Sequence, residues 1–329
     1  MPTASLPDAA WPLHEDEAAH AFDLLLDGQI ADEEARDFLL AMSLRDETAI
    51  EIAAAVRAIR ARMIPVQAPA DAIDVCGTGG DMANTLNVST AVAIVVAACG
   101  VPVAKHGNRA ASSQAGGADT LEALGLDLAN ASARAADSLA EFGIGFMFAQ
   151  AHHPALARLA AVRRSINRRT VFNLTGPACN PARVTRQLIG IARPDFLPTY
   201  AEALRLLDMH DVMLVSGDEP LDELSISGSS TILSPGRPSQ RLTPEDADLP
   251  RHPLVALRGG SATHNAAALH ALLTGEASAY RDAVLLNAAA ALHVADRANA
   301  WHDGIEQAAA AIDSGRAAAL LADWVAFCR

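Results

Sequence analysis

Apolar side chains between residues 15 and 65 recur at the spacing of amphipathic helices. They cluster at 24–26 and 38–42, and then at 50, 52, 56 and 59. A period near 3.6 residues places such positions on one helical face, so the stretch predicts helices without strands. Asp46 is a predicted helix N-cap, because a short polar side chain there accepts a free amide N–H.

The pattern changes at residue 72, where short apolar runs begin to alternate with Ala-rich helical stretches. Strands are predicted at 73–76, 101–105, 144–149, 188–192 and 212–216, with a fully apolar buried helix at 89–99. Alternation of this kind favours a mainly parallel sheet covered by helices. We therefore predict an α/β fold, with a small all-helical domain at 1–68 and a larger α/β domain at 69–329. Helices from about 160–186 are expected to join the helical domain, and the prolines at 65 and 69 mark the linker.

Composition narrows the possible environment and partners. The 329 residues are 51% hydrophobic and 4% aromatic, so the core must consist of Ala, Leu, Val and Ile. The longest apolar run, 91–104, is interrupted by Gly100 and Pro102 and is too short to span a bilayer. The N-terminus has no basic region typical of a signal peptide, and the four cysteines lack metal-like spacing. We expect free thiols in the reducing cytoplasm.

The charge is distributed unevenly along the chain. A formal net charge of −14 disfavours nucleic acid or an anionic membrane as a partner. Residues 142–194 nevertheless contain no Asp or Glu, and they include the arginines at 158, 163, 164, 168, 169, 183, 186 and 193. This stretch indicates a receptor for a small anion; a basic interface or a chance gap is the alternative.

The first candidate site is a glycine turn at a strand end, Gly77-Thr78-Gly79-Gly80-Asp81, followed by Asn87-Val88-Ser89-Thr90 at a helix start. Glycines let a ligand approach the backbone, and a helix N-terminus offers free N–H groups to an anion. The pair predicts a phosphate or pyrophosphate site. No G-K-[ST] follows, so it is not a Walker loop, and it lacks the G-x-G-x-x-G pattern and acidic ribose ligand of a Rossmann site.

The second candidate site is Lys105-His106-Gly107-Asn108-Arg109 at the end of a predicted strand. Lys105 is the one lysine among the chain's 25 lysines and arginines. A compact ammonium serves where a planar guanidinium does not fit, so we predict that Lys105 contacts phosphate. A stray lysine on a solvated loop is the alternative.

The third candidate site is Asp222-Glu223, after the predicted strand at 212–216. Paired carboxylates beside a pyrophosphate site suit Mg²⁺, which prefers oxygen ligands and bridges protein acids to phosphates. His152 and His153 are adjacent and lack a third ligand at a recognisable spacing, so we assign them no metal. No Ser-His-Asp or Cys-His set indicates covalent catalysis.

These motifs occur in a characteristic order: GTGGD, NVST, KHGNR, a double-Ser segment, AHHPA, RRTVFNLTGP with CNPA, LDELS and LRGG. In that order the chain resembles the anthranilate phosphoribosyltransferase family, from about residue 20 to residue 298. KHGNR and RTVFN-L-x-GP are the specific motifs. Class II pyrimidine nucleoside phosphorylases share the fold and the glycine turn and differ at the KHGNR segment.

The resemblance implies phosphoribosyl transfer from PRPP to the amine of anthranilate in tryptophan biosynthesis, with Mg²⁺ as cofactor, and a homodimer joined through its helical parts. Implied PRPP contacts are Gly77, Gly79, Gly80, Asp81, Thr85, Asn87, Ser89, Thr90, Lys105 and Ser113. Implied anthranilate contacts are Gly77, His106, Asn108, Arg163, Gly176 and Pro177. Implied metal contacts are Ser89, Asp222 and Glu223. The family usually has other residues at Met82, Gln114, Asn167 and Thr175, and Asn167 replaces a glycine at a turn that an Asn tolerates.

Two rival functions remain at this stage. A nucleoside phosphorylase or another phosphoribosyl transfer is compatible with the same fold. A nucleic-acid-binding protein built on the fold is the non-enzymatic rival, and the net charge of −14 argues against it.

Overall fold

A computed structural model describes residues 5–110, 114–219 and 221–329. Helices without strands occupy the N-terminal region, as the apolar spacing predicts: α1 Glu15–Leu26, α2 Asp32–Leu44 and α3 Ala49–Arg62. Their apolar faces meet in one core that includes Phe22, Leu39 and Ile59. None of the described helices is both long enough and apolar enough to cross a bilayer.

Within the described residues, seven strands form one sheet in the order β3-β2-β1-β4-β5-β6-β7. They are β1 Ile73–Gly77, β2 Val103–Gly107, β3 Ile144–Phe148, β4 Arg186–Gly190, β5 Val212–Gly217, β6 Ser230–Leu233 and β7 Gln240–Leu242. The first five run parallel and the last two antiparallel. The predicted α/β class with a mainly parallel sheet is confirmed. β6 and β7 were not predicted, because β7 is short and largely exposed and carries little apolar pattern.

The remaining helices cover the sheet or extend from it. They are α4 Val88–Ala98, α5 Gly117–Ala123, α6 Leu128–Ala133, α7 Ala135–Phe142, α8 Ala149–His152, α9 Pro154–Arg158, α10 Ala160–Ile166, α11 Val171–Leu174, α12 Leu197–Leu206, α13 Ala262–Leu273, α14 Ala279–Val294, α15 Trp301–Asp313 and α16 Arg316–Phe327. The apolar helix predicted at 89–99 corresponds to α4. The C-terminal region is helical, as its pattern indicates.

The two faces of the sheet belong to two apolar cores. Successive residues of β4 alternate between them, since Leu188 packs with α4 and α14 whereas Ile189 packs with α3 and α12. One core therefore joins α1–α3 to α10–α12 and to the sheet. α10 and α11 contact α2. That helices from about 160–186 belong to the helical domain stays a prediction. The boundary at residue 68 stays a prediction.

The predicted N-cap at Asp46 is wrong. Thr48 caps α3, accepting from the Glu51 N–H at 3.3 Å, and Asp46 lies outside the helix with φ +63°. Asp46 instead accepts from Arg193 Nη1 at 2.7 Å. Asn167 has φ +50°, so an Asn does hold the left-handed position for which the family uses glycine.

Glu51 joins the N-terminal segment to α3. Its side chain is fully buried, and its oxygens accept from the Leu13 N–H at 2.9 Å, from the Thr48 N–H at 2.8 Å and from Arg45. Burial raises the pKa of Glu51, but Arg45 and the two amides outweigh burial and hold it below its usual value. The carboxylate thus stabilises the fold in its charged form.

We expect Glu51→Gln to lower the free energy of unfolding by about 3 kcal/mol, because it breaks a buried charged pair and leaves Arg45 without its acid. The folded-state pKa is depressed, so this contribution is present above the pKa of unfolded Glu and is lost as the pH falls through the folded pKa. Urea unfolding at pH 7 and pH 4 measures both effects. Glu202→Gln, at an exposed pair with Arg205, is the control and should change little. Equal losses in the two variants would contradict the assignment.

Candidate active site

The predicted site motifs meet at one edge of the sheet. β1, β2, β3, β4 and β5 run parallel, so the glycine turn, the Lys105 segment and the Asp222 segment all follow carboxyl ends at the same edge. The chain proceeds outwards from β1 through β2 to β3 and, on the other side, from β4 to β5. The gap between β1 and β4 is therefore a topological switch point, where α/β sheets bind ligands.

Asp222 lies directly over this switch point. Gly77 and Gly190 are paired in register at the ends of β1 and β4. A Cβ on Gly77 would overlap the Asp222 carboxylate, and a Cβ on Gly190 would overlap its carbonyl oxygen. The two strands can therefore receive the acidic loop, residues 221–224, only because they end without side chains. Thr78 N–H donates to Gly190 O at 2.9 Å and fixes the start of the glycine turn.

The acidic loop and the glycine turn are in direct contact. Gly79 N–H, a predicted PRPP contact, donates to Asp222 Oδ2 at 2.7 Å. Burial, with repulsion from Asp81, raises the pKa of Asp222 to about 7. Burial also raises the pKa of Glu223 well above its ordinary value, with Asp222 and Asp81 adding to the effect and the Ser89 N–H opposing it. Asp222 and Glu223 thus lie near enough to Asp81 to be repelled by it, and a cation beside the two carboxylates would offset that repulsion.

This donor set fits Mg²⁺ shared with a substrate. Among the described residues, no three His, Cys, Asp or Glu side chains converge into a complete metal site. Mg²⁺ does not require one, because it keeps several waters and combines one or two carboxylates with substrate phosphates. Asp222 and Glu223 would supply the carboxylates, and a divalent cation would offset the burial and the repulsion by neighbouring acids that raise their pKa values.

The start of α4 closes the other side of the glycine turn. Asn87 Oδ1 accepts from Thr120 Oγ1 and from Asn265 Nδ2, the latter at 2.8 Å, and Asn87 Nδ2 donates to Ala115 O at 3.1 Å. The predicted PRPP residue Asn87 therefore uses its side chain within the protein. Thr90 is also buried, and a Cβ on Gly117 would lie only 2.7 Å from the Thr90 hydroxyl oxygen. The turn is held from several sides.

Two further predicted PRPP residues lie at the edges of this region. Thr85 forms an isolated antiparallel bridge with Arg258, which is the arginine of the LRGG segment. Met82 follows the turn with φ +63° and is 77% exposed. A bulky residue is unusual in the left-handed region, which accounts for the glycine that the family usually has there. Ser113 lies outside the described residues.

Lys105 is buried beneath the site rather than solvated. It is 5% exposed, and its Nζ donates to Val75 O at 2.6 Å. The carboxylate of Asp74, fully buried on β1, accepts from the His106 N–H at 3.2 Å and from Asn180 Nδ2 at 2.8 Å. The positive charge of Lys105 favours the charged forms of Asp74 and Glu223 and so opposes the rise that burial causes in their pKa values. The stray-lysine alternative is therefore wrong, whereas contact with phosphate stays a prediction.

His106 lies on the side of the cleft where acceptor contacts were predicted. Its Nε2 lies 3.1 Å from His153 Nε2, so one ring donates to the other. Burial holds the pKa of His106 well below its ordinary value and lowers that of His153 to about 4, so both rings are neutral at pH 7. The other bonding partner of His106 is the backbone of Gly176. Pro177 O in turn accepts from Gln187 Nε2 at 2.9 Å, which anchors this segment to β4.

The arginines of the acid-free stretch have different partners, and the anion-receptor interpretation stays a prediction. Arg186 pairs with Asp296 and Arg193 with Asp46 and Asp195, so these two are bound to acids from elsewhere. Arg169 donates to Gly79 O, and Arg168 donates to Ser43 O at 3.2 Å. Arg163 differs: in the part of the chain that the structure describes, its guanidinium has neither an ion-pair nor a hydrogen-bond partner, and it lies 5.8 Å from the centre of the Phe172 ring. It is half-buried, and burial lowers its pKa.

The Asn108 segment is tied to α5 by acids. Asn108 Oδ1 accepts from the Arg109 N–H at 2.8 Å, and Arg109 pairs with Asp119 and Glu122. Asp119 also accepts from the Ala110 N–H at 3.0 Å and from the Gly116 N–H at 2.9 Å. It therefore holds the two described ends of this loop together.

Several supporting residues were not predicted from the sequence. They are polar side chains, all buried except the half-buried Asp119, that hydrogen-bond to the site's segments from outside: Asp74, Asp119, Asn180, Gln187, Asn265, Tyr280 and Asn287. The available signal was a lone polar residue inside an apolar stretch, as in AVLLNAAAAL around Asn287. A buried amide must find hydrogen-bond partners, so such residues mark anchored loops.

Comparison with known proteins agrees with this geometry. A model described as "Glycosyl transferase family, a/b domain" matches residues 69–318, and the family's helical bundle domain model matches residues 11–63. An anthranilate phosphoribosyltransferase of Novosphingobium aromaticivorans is 58% identical over 324 residues, covering 98% of each chain. The solved enzyme of that name from Thermus thermophilus is 41% identical, with a TM-score of 0.93 over 97% of each chain.

A more distant solved relative carries ligands. The anthranilate phosphoribosyltransferase of Saccharomyces cerevisiae in complex with PRPP and Mg is 26% identical, with a TM-score of 0.89, over 96% of this chain and 93% of that one. The chain therefore belongs to this glycosyl transferase family and, within it, to the anthranilate phosphoribosyltransferase family.

The contact between Gly190 and Asp222 provides a sharp test of the site. We expect Gly190→Ala to lower turnover at least tenfold, because its Cβ displaces the acidic loop, and to lower the free energy of unfolding by about 1–3 kcal/mol through overpacking. Gly145→Ala on β3 is a matched control: its Cβ would stand 2.7 Å from Ala135 O, away from the cleft. Steady-state kinetics and urea unfolding of both variants decide the matter. Turnover in Gly190→Ala no worse than in Gly145→Ala would show that the loop does not depend on this contact.

Proposed function

We propose that the protein transfers the phosphoribosyl group of PRPP to the amine of anthranilate, giving N-(5-phosphoribosyl)anthranilate and pyrophosphate, a step of tryptophan biosynthesis. The observation that carries the proposal is the contact of the acidic loop with the glycine turn, through Asp222 and Gly79, at the switch point of the sheet. Membership of the family and the ligands named for the yeast relative support it.

The pyrophosphate end of PRPP is assigned to the glycine turn and the start of α4. Gly77, Gly79, Gly80 and Asp81 line the turn, and Thr85, Asn87, Ser89 and Thr90 lead into the helix, where free N–H groups favour an anion. Lys105 adds a positive charge from beneath, and Ser113 completes the assigned set. Asn87 acts through the position it gives the backbone, since its side chain bonds within the protein.

The metal site is assigned to Ser89, Asp222 and Glu223. Bound there, Mg²⁺ would supply positive charge to the pyrophosphate oxygens and so stabilise the leaving group. The protein prepares for this by keeping two carboxylates partly buried beside the first turn of α4.

The acceptor end is assigned to Gly77, His106, Asn108, Arg163, Gly176 and Pro177. Arg163 is the candidate partner of the anthranilate carboxylate, because it is half-buried and has no acid partner among the described residues. The His106 ring, whose nitrogens are held by His153 and the Gly176 backbone, is neutral and would lie beside the acceptor without adding charge.

The chemistry requires charge management more than proton removal. The aromatic amine of anthranilate is neutral at pH 7 and attacks C1 of PRPP as its bond to pyrophosphate breaks. The N-terminus of α4 and Lys105 stabilise the charge that develops on the leaving group, and the two substrate sites hold the amine and C1 in line. The amine proton released after attack passes to solvent or to pyrophosphate.

We also propose that the enzyme is a cytoplasmic homodimer. Exposed apolar side chains in the helical region, among them Trp11 at 72% and Leu44 at 65% exposure, support a partner on that side. Sedimentation velocity separates the dimer from a monomer, which would contradict the proposal.

The proposed activity is tested by the loss of anthranilate fluorescence with PRPP and Mg²⁺. We expect turnover that requires all three, and we expect Asp222→Asn/Glu223→Gln to abolish it or to raise the Mg²⁺ requirement, because the metal loses its protein carboxylates. Phosphorolysis of nucleosides without PRPP-dependent use of anthranilate would identify the rival phosphorylase. An unchanged Mg²⁺ titration in the double variant would remove these acids from the site.

We expect Arg163→Ala to raise the KM for anthranilate about ten- to a hundredfold, the equilibrium equivalent of a lost charged hydrogen bond, with a smaller effect on PRPP. Arg164→Ala is the control, because that neighbour is exposed. Steady-state kinetics with each substrate varied in turn provide the comparison. Equal weakening of both substrates would indicate general electrostatics rather than carboxylate recognition.

A further inference from the structure

Asn287 on α14 binds the backbone of the acidic loop in both directions. Its Oδ1 accepts from the Leu224 N–H at 2.9 Å, and its Nδ2 donates to Leu224 O at 3.1 Å and to Ala283 O at 2.9 Å. The side chain is 3% exposed and is surrounded by apolar residues of the core. A side-chain amide that hydrogen-bonds to both the N–H and the C=O of one residue fixes the backbone of that residue, as a neighbouring strand would. Leu224 directly follows the proposed metal ligand Glu223.

The same helix holds the other half of the site. Tyr280 Oη donates to Asn87 O at 3.1 Å, at the residue that precedes α4. Tyr280 and Asn287 are seven residues apart, so they lie on one face of α14, about 10 Å apart along its axis. α14 also packs closely along α4 and against the parallel strands of the sheet. One rigid element therefore contacts both the pyrophosphate side and the metal side.

We propose that α14 is a positioning element that sets the separation between the two halves of the active site. Asn287 holds the acidic loop through Leu224, and Tyr280 holds the start of α4 through Asn87. Neither residue touches the reacting groups; each acts through the backbone it fixes. The inference rests on the proposed function for its catalytic consequence, whereas the anchoring of the loop can be measured without turnover.

The two anchors should have separable effects. Loss of Asn287 releases the carboxylates of the acidic loop, so the metal response should change most. Loss of the Tyr280 hydroxyl loosens the start of α4, so PRPP binding should change most. A merely structural role would instead lower stability and affect all substrates alike.

The first experiment measures amide hydrogen exchange in ligand-free Asn287→Ala. We expect the Leu224 amide to exchange about ten- to a hundredfold faster than in the unmodified enzyme, the equivalent of a lost buried partner, with the Ile189 amide of β4 much less affected. Val294→Ala, at the end of the same helix, is the control for general destabilisation and should leave Leu224 protected. Leu224 exchange that is unchanged in Asn287→Ala, or equally accelerated in Val294→Ala, would overturn the proposal.

Kinetics give the catalytic consequence. Asn287→Ala should raise the Mg²⁺ concentration for half-maximal rate at least tenfold at saturating PRPP, with the KM for anthranilate within about twofold of normal. Should the unmodified enzyme show no PRPP- and Mg²⁺-dependent turnover, the proposed function fails, and hydrogen exchange still decides whether α14 anchors the loop. A normal Mg²⁺ response in a folded Asn287→Ala enzyme would overturn the positioning claim.

Tyr280→Phe keeps the proposal testable if Asn287→Ala does not fold. It removes one hydroxyl and conserves the ring that packs in the core. We expect the KM for PRPP to rise about three- to tenfold, as for one lost hydrogen bond, with the Mg²⁺ response at saturating PRPP unchanged. An unchanged KM for PRPP would overturn the proposal that Tyr280 positions the start of α4.

Discussion

The active site depends on one close approach between backbones, that of Asp222 to the ends of β1 and β4. Those strands are neighbours at the point where the sheet reverses its order, and both end in glycine, at Gly77 and Gly190. Any side chain there would overlap Asp222. With the gap free, the acidic loop can reach the Gly79 N–H and lie beside the first turn of α4. The proposed metal site and the proposed pyrophosphate site thus belong to a single cleft.

That approach creates an electrostatic problem that the substrate complex must solve. Burial, together with repulsion from Asp81, raises the pKa values of Asp222 and Glu223, and this records the cost of holding the two carboxylates in the cleft. PRPP brings further negative charge into a protein whose net charge is −14. On the proposed function, a divalent cation held by the carboxylates would offset both repulsions. Lys105 beneath the cleft and Arg163 at the proposed acceptor side would add positive charge.

The sequence was most informative where local chemistry determines structure. Apolar spacing predicted the N-terminal helices, α4 and the five parallel strands, because periodicity reflects burial directly. The motifs of the glycine turn, Lys105 and the acidic loop followed strands, and parallel strands bring their carboxyl ends to one edge. The correct N-cap had a local signal that the prediction missed, because Thr48-Ala49-Ile50-Glu51 is a capping box. The pairing of Asp46 with Arg193, 147 residues further along the chain, could not be foreseen.

The anchors of the site were beyond local reasoning for the same reason. Asn287 bonds to Leu224 across 63 residues, and Asn265 bonds to Asn87 across 178. A sequence shows that such a polar residue is unusual in an apolar helix, but its partner is defined only by the tertiary fold. Lys105 illustrates the limit: its rarity indicated a special role, yet its bond to Val75 O emerged only from the packing of β1 and β2.

Cooperative binding of metal and PRPP tests the central claim most directly, because the protein supplies two carboxylates and the substrate must supply the rest. Electron paramagnetic resonance of free Mn²⁺, a substitute for Mg²⁺, measures metal binding without turnover. The account predicts weak Mn²⁺ binding to the protein alone and at least tenfold tighter binding when PRPP is present, beyond the affinity of PRPP itself for Mn²⁺. Tight Mn²⁺ binding without PRPP, or binding that PRPP leaves unchanged, would contradict it.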